Sequence, residues 1–216
     1  MTLETLNINW VDLLMVILLV AGVVRGRSRG LSEELLDMFK WLLILVAAGF
    51  VYEPVGLLLA DSSVFSLLSC YVCVYAMVVI IFKAGFALIK HRVGQKLIGS
   101  DVFGGAEFYL GMVAGAFRYG CIIVVALAFL HARYYTPEEV ADATKFQEDN
   151  FGSVYFPTLC GLQREVFVRS LTGRLVNEYL GAVLIRPTSP EDKGLGGRSS
   201  VIKAREQDVH EILDRR

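Results

Sequence analysis

Four apolar stretches constrain this chain more than any other feature: residues 6–24, 35–59, 64–89 and 108–130. A helix that crosses about 30 Å of hydrocarbon needs about 20 mostly apolar residues. Each stretch meets that length. The reading that follows is all-α: an integral membrane bundle of four transmembrane helices with a helical C-terminal extension. Residues 1–131 form the membrane domain. The fourth stretch carries Arg118, and it cannot begin after it. Cys121 to Leu130 would make only about 15 Å of helix, too short to cross. Arg118 therefore belongs inside the span.

The first stretch does not read as a cleaved signal peptide. Glu4 precedes it and the basic run "RGRSRG" follows, whereas a signal peptide has its positive segment first and small residues at a cleavage site. Lys and Arg in short loops set orientation. The connection 25–34 has Arg25, Arg27 and Arg29, and the connection 90–107 has Lys90, Arg92 and Lys96. Residues 1–5 and 60–63 have neither Lys nor Arg. The basic connections belong in the cytoplasm, with both termini outside. In a bacterium, outside the inner membrane is the periplasm.

Residues 132–185 read as a helical tail. Thr136-Pro137-Glu138-Glu139 has capping-box spacing with Pro at the first helical position, and predicts a helix to about Phe146. An amphipathic helix is expected over about 159–185, with Arg164, Glu165, Arg169, Arg174 and Glu178 on its polar side. It is too polar to span. It could lie on the membrane surface, on the bundle or on another subunit. Residues 186–216 read as a flexible polar C-terminus, with "KAREQDVHEILDRR" as a final exposed helix.

Charged residues within spans are functional suspects by default. Here they are Asp12, Lys83 and Arg118, with Glu34 and Asp37 at the mouth of the second span. Glu34, Asp37 and Trp41 fall on one helical face. Helical side chains lean toward the N-terminus, so Arg118 can reach back toward the depth of Asp37 and Lys83. The expectation is a polar cluster pairing Arg118 with Glu34 or Asp37. Just before it, Gly111 and Gly115 form G-x-x-x-G, and Ala116 with Gly120 makes a second small pair. Such pairs let another helix approach closely.

Other function classes find little support. The net charge of −1 argues against a nucleic-acid partner. His91, His131 and His210 have no partner at metal-ligand spacing, and no nucleotide-loop or hydrolase-elbow motif is present. The glycines of "GSDVFGG" (99–105) lack a phosphate-binding Lys and read as a turn. Cys70, Cys73 and Cys121 lie in apolar runs and read as small buried side chains rather than a redox pair. No catalytic residue, metal or cofactor is expected. The partners are the lipid bilayer and either a second copy or other inner-membrane proteins.

The ordered set Asp12, Arg29-Gly30, Glu34 and Trp41, then Leu110-Gly111, Gly115 and Arg118, resembles the colicin V production protein family. Ser153 and Pro157 resemble a short motif after the bundle. Tyr119 stands between Arg118 and Gly120, where the family often has Arg-Gly, and Glu107 or Asp101 stands for an Asp before Leu-Gly. The resemblance implies a four-span inner-membrane protein involved in production or export of the peptide toxin colicin V, with a wider envelope role and no catalytic residues. A different class is a small oligomeric channel or transporter using Arg118, Lys83 and Asp12. A membrane-embedded enzyme is a third, disfavoured for want of a site.

Overall fold

The computed structural model describes residues 9–62, 65–97, 106–151 and 158–188. It is all-helical, and among the described residues the only extended pairing is an isolated bridge between Arg133 and Thr188. Helix α1 is Trp10–Ser62, α2 is Leu67–Leu97 and α3 is Glu107–His131. These three are long and apolar enough to cross a membrane. The tail holds α4 (Pro137–Phe151), α5 (Leu159–Arg164), a π-helical turn (Glu165–Arg169) and α6 (Leu171–Leu180).

One residue divides α1. Gly30 has φ 76° and ψ 169°, backbone that side-chain-bearing residues rarely adopt. The first arm (10–29) is about 30 Å of helix and the second (31–62) about 48 Å. Their neighbours show that they run in opposite directions. Along the first arm, Gly22 faces Gly115, Gly26 faces Gly111 and Gly30 faces Glu107, so this arm is antiparallel to α3. Along the second arm, Asp37 meets Lys90 and Gly56 meets Tyr71, so it is antiparallel to α2. One end of the bundle thus carries Gly30, Lys90 and Glu107. The other carries Asn9, Tyr71, His131 and the tail.

The core follows from the apolar faces turned inward. Ile44, Ala48, Tyr75 and Ala128 are fully buried. Tyr52 and Tyr71 meet edge to face at 5.4 Å between ring centroids, and Tyr75 and Phe129 at 5.2 Å. Tyr52 also donates to the carbonyl of Leu184 at 3.2 Å, and His131 Nδ1 lies 2.9 Å from the carbonyl of Ile185. These bonds tie the last described residues to the bundle. The outward faces stay apolar, with Ile17 and Val20 on the first arm and Met77, Ile80 and Leu88 on α2 exposed.

Several boundaries differ from those expected. The connection 25–34 is helical except at Gly30, because Arg, Leu and Glu are good helix formers and one glycine suffices to reverse the chain. The second arm runs beyond 59 to Ser62, with Pro54 inside it. Helix α2 runs beyond 89 to Leu97, and α4 beyond Phe146 to Phe151. At the start of α4 the capping box is formed: Glu139 N donates to Thr136 Oγ1, and Thr136 N to Glu139 Oε2, both at 3.2 Å. The single helix expected over 159–185 is instead interrupted. Ser170 is extended (ψ 138°) and its hydroxyl accepts from Gly173 N, so a new helix starts there. Residues 1–8, the 99–105 turn with Asp101, Ser153, Pro157 and the end from 189 onward lie outside the described residues.

Candidate functional site: a buried charge cluster

The second arm of α1 places Glu34 and Asp37 one turn apart, both facing inward. Glu34 is fully buried. Arg118, reaching across from α3, donates to Glu34 Oε1 at 2.8 Å and Oε2 at 2.5 Å and lies 3.6 Å from Asp37. Arg29, from the end of the first arm, is 3.5 Å from Asp37 and 4.0 Å from Glu34. Lys40 donates to Asp37 Oδ1 at 2.7 Å and Lys90 of α2 to Oδ2 at 3.2 Å. Asp37 is therefore a hub for four cations drawn from both arms of α1, from α2 and from α3.

Burial gives these contacts their weight. A lone buried charge costs several kcal/mol, and removing one partner of a buried pair costs about 3–5 kcal/mol. Arg118 and Glu34 each offset much of the other's burial cost, with Asp37 and Arg29 as the further opposite charges beside them. Trp41, one turn beyond Asp37, is half-buried against the core. Arg118 Nε is buried and has no hydrogen-bond partner among the described residues; its guanidinium lies 5.4 Å from the ring centroid of Tyr119.

The close approach that brings Arg118 to Glu34 is a glycine seam. A Cβ on Gly111 would stand 2.5 Å from Gly26 O, and one on Gly22 2.8 Å from Gly115 O. Cβ atoms on Gly26 or Gly115 would likewise run into the facing carbonyls of Gly111 and Gly22. Gly120 is different: among the described residues nothing lies within 4 Å of its added Cβ, so it is not part of the seam. Its place is taken by Gly22 and Gly26, spaced four apart with Gly30. That periodicity was the available signal for the facing half of the interface.

The other two charges within the long apolar helices lie elsewhere. Asp12 sits at the opposite end, against the start of α6. It accepts from Ser170 Oγ at 2.6 Å, Leu171 N at 3.2 Å, and Thr172 N and Oγ1 at 3.0 and 2.8 Å. A carboxylate at a helix N-terminus satisfies open amides and complements the helix dipole. Asn9 adds a bond to Glu165. Asp12 is thus the clamp that holds the tail to the first arm, a role only the fold brings out. Lys83 is exposed on α2 and has no hydrogen bond or ion pair among the described residues. The three charges do not converge.

The clamp makes a direct prediction. Asp12→Asn keeps the size but loses the charge and two acceptor lone pairs, so α6 should loosen by about 1–3 kcal/mol. Hydrogen exchange over 171–180 should accelerate, while 107–131 keeps its protection. Equal protection in both proteins would rule out the clamp.

Among the described residues no three His, Cys, Asp or Glu side chains gather as a metal site would require. The fold and cluster define a class: a bundle of long apolar helices cross-linked internally by a buried ionic network. A family model described as colicin V production protein matches residues 11–147. The match covers more than half of the chain, which belongs to this family. No curated protein and no solved structure matches it.

Proposed function

We propose that the protein is an integral inner-membrane component that supports colicin V production and export, and maintenance of the envelope, without catalysing a reaction. In this reading the two arms of α1, with α2 and α3, make four spans. The observation that carries it is the buried Arg118–Glu34–Asp37 network inside helices whose outer faces are apolar. A soluble protein rarely leaves so broad an apolar surface open, and a bilayer would cover it. The network then pins the spans to one another.

Orientation follows the basic residues. Arg25, Arg27, Arg29, Lys90 and Arg92 belong to the end that carries Gly30, and the positive-inside tendency places that end in the cytoplasm. Asn9 and the tail belong to the opposite end, which supports both termini in the periplasm. The oligomeric pore built on Asp12, Lys83 and Arg118 draws no support from the geometry of one chain.

The test has two arms. A dual reporter fused after Arg216 should be active on the periplasmic side only; cytoplasmic activity would reverse the orientation. In a colicin V-producing strain lacking this protein, the full chain should restore toxin in the medium. An Arg118→Gln variant should restore less than a tenth of it, and full restoration by that variant would remove the network from the function.

A further inference from the structure

A cavity of about 670 Å³ opens where the tail packs on the end of the bundle. Small-ligand sites typically fall within about 300–1,000 Å³. The end of α3 contributes His131 and the segment after it Arg133, α4 contributes Val140 and Gln147, and the opposite wall is α5 with the π-helical turn. Such wide turns occur often at functional sites. This one sends Val166 into the core, where it is buried, while Glu165, Phe167, Val168 and Arg169 line the cavity.

The lining carries an imbalance of charge. Arg133, Arg164 and Arg169 line the cavity with one carboxylate, Glu165; with Glu139 beside Arg133, one positive charge is left in surplus. Glu165 is already engaged by Arg169 at 2.5 Å and by Asn9. Arg133 lies 3.6 Å from Glu139, outside the lining, and over the Tyr135 ring at 4.7 Å. Arg164 has no hydrogen bond or ion pair among the described residues. The remaining wall is apolar and aromatic, with Trp10 and Val168 both at least half exposed at its edge.

We propose that this cavity binds the phosphate headgroup of an anionic phospholipid, with an acyl chain leaving past Trp10 and Val168. Guanidinium groups match phosphate oxygens in a paired, charge-assisted geometry. Trp and Tyr side chains favour headgroup depth, and Trp10, Tyr134 and Tyr135 all gather at this end. A free phosphate would use the arginines and leave the apolar wall idle. The site rests on the reading that the long helices lie in a bilayer.

The test uses the full chain, extracted and delipidated in detergent, with lipid binding followed by native mass spectrometry and by the thermal unfolding midpoint. Phosphatidylglycerol should bind at least about fivefold more tightly than phosphatidylcholine, and Arg164→Gln should remove about that factor, the effect of one cation near an anionic headgroup. Val168→Trp, at an exposed position, should block binding while leaving the lipid-free midpoint unchanged. Equal binding of the two lipids would overturn the proposal. So would displacement of phosphatidylglycerol by millimolar inorganic phosphate, which would mark a free-phosphate site, or intact binding by both variants. Recovery of the protein in the soluble fraction without detergent would instead overturn the membrane reading itself.

Discussion

Arg118→Gln should lower the stability of the bundle by about 3–5 kcal/mol, because it leaves Glu34 charged and buried with its main partner gone. For a chain of this size 1 kcal/mol moves a melting midpoint by roughly 2–4 °C, so a drop near 10 °C in detergent is expected. Glu34→Gln should cost less, since Arg118 keeps Asp37 at 3.6 Å. The paired exchange Arg118→Glu with Glu34→Arg restores one charge of each sign to the same place. It should recover at least half of what each single exchange loses. An unchanged midpoint in Arg118→Gln, or an exchange no better than its parts, would mean the network does not hold the helices together.

The second large effect belongs to the glycine seam. Gly26→Leu must displace the backbone of α3, because the first atom added meets the carbonyl of Gly111, and backbone cannot rotate away as a side chain can. Overpacking commonly costs about 1–3 kcal/mol; a seam with backbone on both sides should fall at the upper end or beyond. Gly120→Ala is the matched control. It lies in open space, so it should be neutral or gain up to about 1 kcal/mol from better helix propensity. Comparable losses in the two variants would refute the seam, since only one of the two positions has a neighbour.

Much of this arrangement was legible because length and depth are strong constraints. A run of about twenty apolar residues has few alternatives to a long helix, and α3 at Glu107–His131 nearly coincides with the stretch 108–130. The backward lean of helical side chains turns Arg118 toward the depth of Asp37 and Lys83; it meets Glu34 and Asp37, while Lys83 is exposed on α2. Lys90 joins them from 53 residues away in sequence, a contact no local pattern encodes. The reversal at Gly30 was hidden because helices in bundles are usually joined by about 2–8 residues. Ten residues rich in Arg and Gly looked like such a loop. The G-x-x-x-G motif named Gly111 and Gly115, which face Gly26 and Gly22, but periodicity alone could not tell which face of α3 would find a neighbour. Gly120 shares the spacing and not the contact. Asp12 looked like an awkward charge in a span, and only the folded tail shows the amides and hydroxyls that solvate it.

The one-residue reversal at Gly30 also bears on how the cluster is built. Arg29, Glu34, Asp37 and Lys40 all belong to α1, so its hairpin brings two cations and two carboxylates into contact by itself. This hairpin precedes α2 and α3 in the chain, and its two carboxylates already have two cations beside them. Lys90 and Arg118 come from later in the chain and join carboxylates that α1 already pairs with its own cations. Arg118 is the last of these charges along the chain, and its guanidinium closes from α3 a contact that α1 begins alone.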